Sequence, residues 1–171
     1  NNQQGKYAIA RIAMEYISDG DAIAMNNGAA TLALAKCMQG VRSGLTVVTN
    51  SPDIAMILSE DETNQVYVSS GYLRKHNKSL IGSMCNECIG NFRVDKTILS
   101  VDGTSITDGV TEYNTEDAAT LRKMVEIGHI TMLLCEFSKF QEVAFNKVCN
   151  ASQVGYVFTD WNVPAKEVKA W

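Results

Sequence analysis

Residues suited to binding an anionic ligand follow the first short apolar run of the sequence. They are Asn27, Gly28, Ala29, Ala30 and Thr31. A helix that begins at Ala29 would offer free backbone N–H groups, and Gly28 would let a ligand approach the backbone closely. The dipole of such a helix favours an anion such as phosphate. A glycine in a strand-to-helix turn can also serve packing alone, so the motif by itself leaves both interpretations open.

Charged side chains in later polar segments could complete such a site. Arg74 follows Gly71, and Lys139 lies much further along the chain. Either cation could pair with a phosphate or with sugar oxygens, although a lone cation in a loop is ordinarily just solvated. The carboxylates that could accept hydrogen bonds from sugar hydroxyls are Asp102, Asp108 and Glu136. Ordinary turn and cap chemistry is the alternative for these acids.

We predict that these residues are positioned by alternating strands and helices. Periodicity predicts helices over 6–17, 29–38, 54–58 and 115–127, one more ending near Asn91, and strands over 22–25, 45–49, 65–69, 96–101, 131–135 and 155–159. Ser51 followed by Pro52 is a typical helix start, and Thr115 is the expected cap of the last helix. This alternation predicts an α/β fold with a mainly parallel sheet, in one domain over residues 1–171.

In an open parallel sheet, ligands bind beyond the carboxyl ends of the strands, so the loops after strands are candidates for the site. They comprise residues 26–31, 50–51, 71–74, 102–109 and 136–140. The predicted topology brings these distant segments to one rim of the sheet. We expect residues 102–109 to form a polar loop there.

Composition excludes several classes of protein. The 171 residues are 46% hydrophobic and 20% charged, which is typical of a folded globular domain. The net charge is −4 and no Lys/Arg cluster is present, so non-specific DNA binding by this chain alone is not expected. No apolar run is long enough to span a bilayer, and no signal peptide is visible. The polar start at residues 1–4 predicts a linker, with a preceding segment missing.

The cysteines favour a reducing compartment. Five of them lie in apolar segments, and an odd number indicates free thiols and a cytoplasmic protein. Cys85 and Cys88 form a C-x-x-C motif. A zinc site there would need two further ligands, and only His76, His129 and the other cysteines are available. We interpret the pair as buried helix cysteines, with metal or redox use as the alternative, and we expect no metal and no cofactor.

Blocks spread over nearly the whole chain resemble the C-terminal sensor domain of bacterial DeoR-type regulators of sugar metabolism. The blocks are Lys6 with Ile9-Ala10, Ile17-Ser18-Asp19-Gly20-Asp21-Ala22-Ile23, Leu45-Thr46-Val47-Val48-Thr49-Asn50-Ser51, Ser70-Gly71-Tyr72-Leu73-Arg74, Leu80-Ile81-Gly82, Val101-Asp102-Gly103 with Asp108-Gly109-Val110-Thr111, Ser138-Lys139-Phe140 and Thr159-Asp160. Each block alone is only moderately specific, whereas their common order is specific.

The resemblance implies a Rossmann-like three-layer α/β/α fold, similar to ribose-phosphate isomerases and CoA-transferases. It also implies a repressor whose winged helix-turn-helix domain, absent from this chain, binds operator DNA. A phosphorylated sugar would be the effector, and we expect a homo-oligomer that is not an enzyme. Carried over by position, the ligand-binding residues would be Asn27, Gly28, Ala29, Ala30, Thr31, Thr49, Asn50, Gly71, Arg74, Asp102, Gly109 and Lys139.

Departures from the family pattern keep two other functions open. Ala29 and Ala30 stand where the family usually carries hydroxyl side chains, and Glu136-Phe137 replaces a usual aspartate. A weakened site would leave a pure oligomerisation module. A sugar-phosphate isomerase is the other alternative, because Lys139 together with Asp102, Asp108 or Glu136 could supply a cation and a general base.

Overall fold

The computed structural model describes residues 2–160, which fold around a parallel sheet of six strands. The sheet strands are β1 (Ala22–Met25), β2 (Thr46–Thr49), β3 (Gln65–Val68), β6 (Val94–Ser100), β9 (Gly128–Leu134) and β11 (Tyr156–Phe158), and the shorter strands are β4 (Tyr72–Leu73), β5 (Leu80–Ile81), β7 (Gly103–Ser105), β8 (Gly109–Glu112) and β10 (Asn146–Cys149). Every neighbouring pair in the main sheet is parallel, which confirms the predicted α/β class.

Helices cover both faces of this sheet. They are α1 (Asn2–Met14), α2 (Ala29–Met38), α3 (Pro52–Leu58), α4 (Ser83–Gly90) and α5 (Thr115–Ile127). Strand side chains alternate between the faces, so Ile98 joins the core under the first three helices and Leu99 joins the core under the last two. Two buried clusters separated by the sheet give the three-layer α/β/α arrangement that was expected.

The order in which the strands are added reverses at the centre of the sheet. The order is β11-β9-β6-β1-β2-β3, so the chain moves outward from β1 to β3 and then returns to pair β6 with the other edge of β1. The connections after β1 and β6 therefore diverge to opposite faces. A crevice opens at such a switch point, beyond the carboxyl ends of the two strands.

Residues 102–109, predicted to be a polar loop, are partly strand. Strands β7 and β8 pair as an antiparallel hairpin, and β10 adds to the other edge of β8. The prediction was wrong because these strands are only three or four residues long, too short to show the alternation on which a strand assignment depends. The hairpin of β4 and β5 was missed for the same reason.

Helix caps were predicted correctly at one of two positions. Ser51 caps α3 with Pro52 at its first turn, and its Oγ accepts a hydrogen bond from the Ile54 N–H at 3.2 Å. For α5, however, the cap is Asn114 and not Thr115, because the Asn114 side chain accepts from the Asp117 N–H. Asparagine is among the best N-cap residues, so the preceding position takes the role.

The cysteines of the C-x-x-C motif both lie on α4, with Cys85 buried and Cys88 half-buried, and both are free thiols. Burial raises the pKa of Cys85, which lies 3.2 Å from the Ser69 hydroxyl. Within residues 2–160, no group of three or more His, Cys, Asp or Glu side chains could hold a metal ion. No helix in that same range is long and apolar enough to cross a membrane.

Replacing Ser51 tests the cap that starts α3. Ser51→Ala removes the acceptor for the Ile54 N–H inside the fold, and we expect a loss of about 1 kcal/mol in the free energy of unfolding. Urea denaturation measures it. Ser59→Ala, at the exposed end of the same helix, is the matched control and should change stability by less than about 0.5 kcal/mol. Equal losses in the two variants would contradict the capping role.

Candidate functional site

A cavity of about 350 Å³ opens at the switch point, beyond the carboxyl ends of β1, β6 and β9. Its lining residues are Lys6, Asn27, Gly28, Ala29, Ala30, Asn77, Ser100, Val101, Asp102, Glu112, Asp117, Leu134, Glu136, Ser138 and Lys139. The size is that of a small-molecule site. The polar groups come from both faces of the sheet, and the cavity therefore lies between the two helical layers.

The two central strands are joined at the mouth of this cavity by side-chain hydrogen bonds. The Asn26 amide donates from Nδ2 to the Ser100 carbonyl oxygen and accepts at Oδ1 from the Ser100 N–H, both at 2.8 Å. Asn26 is 3% exposed. The amide thus continues the β1–β6 pairing past the end of β1, and it fixes where the turn into α2 begins.

The first turn of α2 leaves backbone donors free at the cavity. The Thr31 N–H donates to Ser100 Oγ at 3.0 Å, whereas the N–H groups of Ala29 and Ala30 have no hydrogen-bond partner among the residues that the structure describes. Gly28 is the N-cap and supplies no side-chain cap. A Cβ there would lie 2.6 Å from Ser100 Oγ, so glycine is required for the close approach of this turn to β6.

Two lysines supply positive charge to the lining. Lys139 lies in a short 3-10 helix after β9, and no carboxylate of the described range lies within 4.0 Å of its amino group. Lys6 projects from α1 and makes a long ion pair of 3.9 Å with Glu136. A long, partly exposed pair is weak, so both amino groups are available to an anion.

Carboxyl groups line the part of the cavity formed by β8 and α5. Glu112 is only 5% exposed, and its Oε2 accepts a hydrogen bond from the Asp102 N–H. Burial, and then the negative charge of Asp102, raise the pKa of Glu112 to about 8, while the hydrogen bond from the Asp102 N–H and the charge of Lys139 act in the opposite direction. Glu112 is therefore mostly a neutral carboxylic acid at pH 7. Asp117 contributes the third carboxylate of this wall.

Several predicted site residues lie at the cavity, and others only support it. Asn27, Gly28, Ala29, Ala30, Asp102 and Lys139 all line it. Thr31 is fully buried, and its hydroxyl donates to the Asn26 carbonyl. Thr49 donates in the same way to the Met25 carbonyl, and the Asn50 side chain accepts from the Asn27 N–H at 3.0 Å. These three side chains hold the loop in place and do not line the cavity.

Three further predicted residues lie outside the lining. Gly71 precedes β4, and Gly109 opens β8 with a φ of +75° in the hairpin turn. Arg74 is 9% exposed and forms a two-pronged ion pair with Asp117, at 3.1 and 3.0 Å. Its guanidinium also donates to the Asn114 side chain at the start of α5. The charge of Arg74 is therefore already used in an ion pair that links the β4–β5 hairpin to α5.

Sequence reasoning missed most of the acidic wall and one cation. Glu112 ends β8, in a hairpin that was not predicted, and Asp117 lies in the first turn of α5. Lys6 lies on a helix that shows no site motif. Asn77 and Ser100 were also missed, although Ser100 lies in a predicted strand and ends β6. Position at the carboxyl end of a central strand was the one signal that could have identified Ser100.

Replacing Arg74 tests its structural role. Arg74→Met leaves Asp117 without its partner beside two other acids, and we expect the free energy of unfolding to fall by about 2–4 kcal/mol. Lys75→Met removes a neighbouring exposed cation and should cost less than about 0.5 kcal/mol. Urea denaturation of both variants compares them. A similar small change in both would show that the ion pair contributes nothing to the fold.

The pH dependence of stability tests the state of Glu112. Its pKa is about 8 in the folded protein against an ordinary value of 4.5, so the folded state holds the proton more tightly. The contribution of this proton to the free energy of unfolding is complete below pH 4.5 and is lost as the pH rises to about 8. The free energy of unfolding should fall over that interval by up to about 1.4 kcal/mol per pH unit. Glu112→Gln should lack this slope, and exposed Asp108→Asn should keep it. Parallel profiles for wild type and Glu112→Gln would contradict the assignment.

The fold is similar to that of a solved sugar-phosphate enzyme. A D-ribose-5-phosphate isomerase in complex with phospho-erythronic acid superposes with a TM-score of 0.59 at 14% sequence identity, covering 82% of this chain and 55% of the isomerase chain. This similarity confirms the expected isomerase-like fold. At so low an identity it concerns the fold alone.

Curated relatives are named as repressors. The HTH-type transcriptional repressor GlcR of Bacillus subtilis (strain 168) is 31% identical over 91% of this chain and 59% of its own length. The Glycerol-3-phosphate regulon repressor of Escherichia coli (strain K12) is 29% identical over 91% of this chain and 61% of its own length. The chain thus spans about three fifths of these relatives. Since residues 1–161 match the DeoR C terminal sensor domain, the chain belongs to that family.

Proposed function

We propose that this chain is the effector-binding domain of a DeoR-type transcription regulator, and that its cavity binds a phosphorylated sugar. The observation that carries the proposal is the convergence of the free Ala29 and Ala30 N–H groups with the Lys139 amino group on one cavity. Helix N-termini and lysines are ordinary phosphate partners. Lys6 adds a second positive charge from α1.

The absence of hydroxyl side chains at positions 29 and 30 does not remove these donors, because they belong to the backbone. The Thr31 hydroxyl that remains is engaged with the Asn26 carbonyl and so is not a free donor. The name of one similar protein, the Glycerol-3-phosphate regulon repressor, supports a phosphorylated ligand. The predicted phosphate site thus depends on main-chain groups and two lysines.

The regulatory part of the proposal requires a separate DNA-binding segment. The matched region is only 59% of the length of GlcR, and the net charge of −4 argues against operator contacts by this chain. Effector binding would lower operator affinity in the full-length protein, and by reciprocity the operator would weaken effector binding to the same degree. A homo-oligomer in the cytoplasm is the setting that we expect for this coupling.

An isomerase is the second candidate, since Lys139, Asp102 and Glu112 bring a cation and carboxyl groups to one cavity. These are the groups that proton transfer next to a carbonyl requires. The curated relatives described above are all named as repressors, which favours the sensor. Incubation with ribose 5-phosphate distinguishes the two, because turnover would establish the enzyme and binding without turnover the sensor.

Sugar-phosphate binding is tested by substitution of Lys139. We expect one phosphate from a panel, and not its free sugar, to raise the melting temperature by about 5–10 °C at 100 times its Kd. Lys139→Met should weaken that Kd about 10- to 100-fold, since a hydrogen bond to a charged group contributes about 1.5–3 kcal/mol. Isothermal titration calorimetry measures the Kd of the wild type and that of Lys139→Met.

Lys75→Met serves as the control, because Lys75 is exposed and lies outside the cavity. Its Kd should equal that of the wild type. If no sugar phosphate shifts the melting temperature of the wild type, the effector proposal is wrong and an oligomerisation module becomes the better interpretation.

A further inference from the structure

The two sides of the cavity differ in charge. The side that belongs to α1 and α2 carries Lys6 and the free N–H groups of Ala29 and Ala30, whereas the side that belongs to β8 and α5 carries Glu112 and Asp117. Asp102, at the end of β6, adjoins Glu112 through its N–H group. A ligand that fills the cavity must therefore present an anionic group to the first side and groups without negative charge to the second.

We propose that the acidic wall of Asp102, Glu112 and Asp117 restricts the effector to a sugar or polyol with one phosphate and no second anionic group, and that Glu112 hydrogen-bonds an uncharged oxygen of it. This inference rests on the proposed function and names its ligand class more narrowly. Glu112 is a specificity-determining residue in this arrangement, and the phosphate is bound elsewhere in the cavity.

Burial and hydrogen bonding define what Glu112 can offer. Glu112 is only 5% exposed, and no cation in residues 2–160 lies within 4.0 Å of its carboxyl group. The Arg74 guanidinium is engaged with the neighbouring wall residue Asp117. Because Oε2 already accepts from the Asp102 N–H, the other oxygen is the atom that a ligand can meet. A neutral carboxyl group has a proton to donate there.

The charges that face Glu112 favour this neutral state. Asp102 after β6 and Asp117 on α5 both raise its pKa, and Lys139 after β9 opposes them. The Asp102 carboxylate is itself held by the Tyr113 N–H at 3.0 Å, so it cannot turn away freely. A carboxylate or second phosphate on the ligand would meet the fixed negative charge of Asp102 and the buried Glu112, neither of which has a cation partner within 4.0 Å in residues 2–160. It would have to give up its hydration for an unfavourable contact.

Matched ligands test the wall directly. The panel pairs glycerol 3-phosphate with 3-phosphoglycerate, ribose 5-phosphate with 5-phosphoribonate, glucose 6-phosphate with 6-phosphogluconate, and fructose 6-phosphate with fructose 1,6-bisphosphate. In the pair that contains the tightest ligand, we expect the member with a second anionic group to bind at least about tenfold more weakly at pH 7 by calorimetry. Equal or tighter binding of that member would overturn the inference while leaving the phosphate site intact.

The pH dependence of the Kd tests Glu112 itself. For the member of the pair with one phosphate and no second anionic group, wild-type affinity should fall about tenfold between pH 7 and pH 9, as the carboxyl group of Glu112 loses its proton around its pKa of about 8. Glu112→Gln, which stays neutral and keeps a donor, should change less than about threefold over that range. Exposed Asp108→Asn, outside the cavity, should follow the wild type.

The outcomes separate the two proposals. Binding of a singly phosphorylated ligand with a pH profile that Glu112→Gln does not change would overturn the role of Glu112 and leave the sensor function standing. Failure of every phosphate to bind the wild type at any pH would overturn the sensor function and this inference together.

Discussion

The site depends on the two hydrogen bonds between the Asn26 amide and the Ser100 main chain. They join the carboxyl ends of β1 and β6 at the position where the chain winding reverses. Because Ser100 Oγ also accepts the Thr31 N–H, the same residue sets the distance between β6 and the start of α2. Gly28 must then lack a side chain, since a Cβ would collide with Ser100. The position of the free N–H groups follows from this small set of contacts.

A site built from main-chain donors tolerates changes in its side chains. Ala29 and Ala30 contribute no hydroxyl groups, yet the first turn of α2 keeps its geometry because Thr31, Asn26 and Ser100 hold it. Backbone N–H groups at a helix start do not depend on which small residues carry them. The difference from the usual family pattern therefore changes the number of donors and leaves the anion-binding character of the helix in place.

Sequence patterns identified the βαβ framework and the first loop, because buried β-branched runs and Ala/Leu-rich helices are strong local signals. They predicted Arg74 and Gly109 at the site, whereas both lie outside the cavity lining, because they belong to short antiparallel hairpins whose position depends on contacts distant in sequence. Glu112, the central residue of the acidic wall, was missed for the same reason. Glu112 reaches the cavity only because β8 pairs with β7 and β10, and no local pattern encodes that pairing.

The main-chain donors that line the cavity tolerate changes of sequence, whereas the side chains that line it do not. If the proposed function holds, phosphate affinity comes from α2 backbone donors and lysines, while discrimination between sugars comes from side chains on β8 and α5. A substitution at Glu112 can then alter which sugar fits without disturbing the Asn26–Ser100 link, because the two lie on different elements and share no hydrogen bond. A single fold could in this way keep one phosphate site and change its preferred sugar through the wall alone.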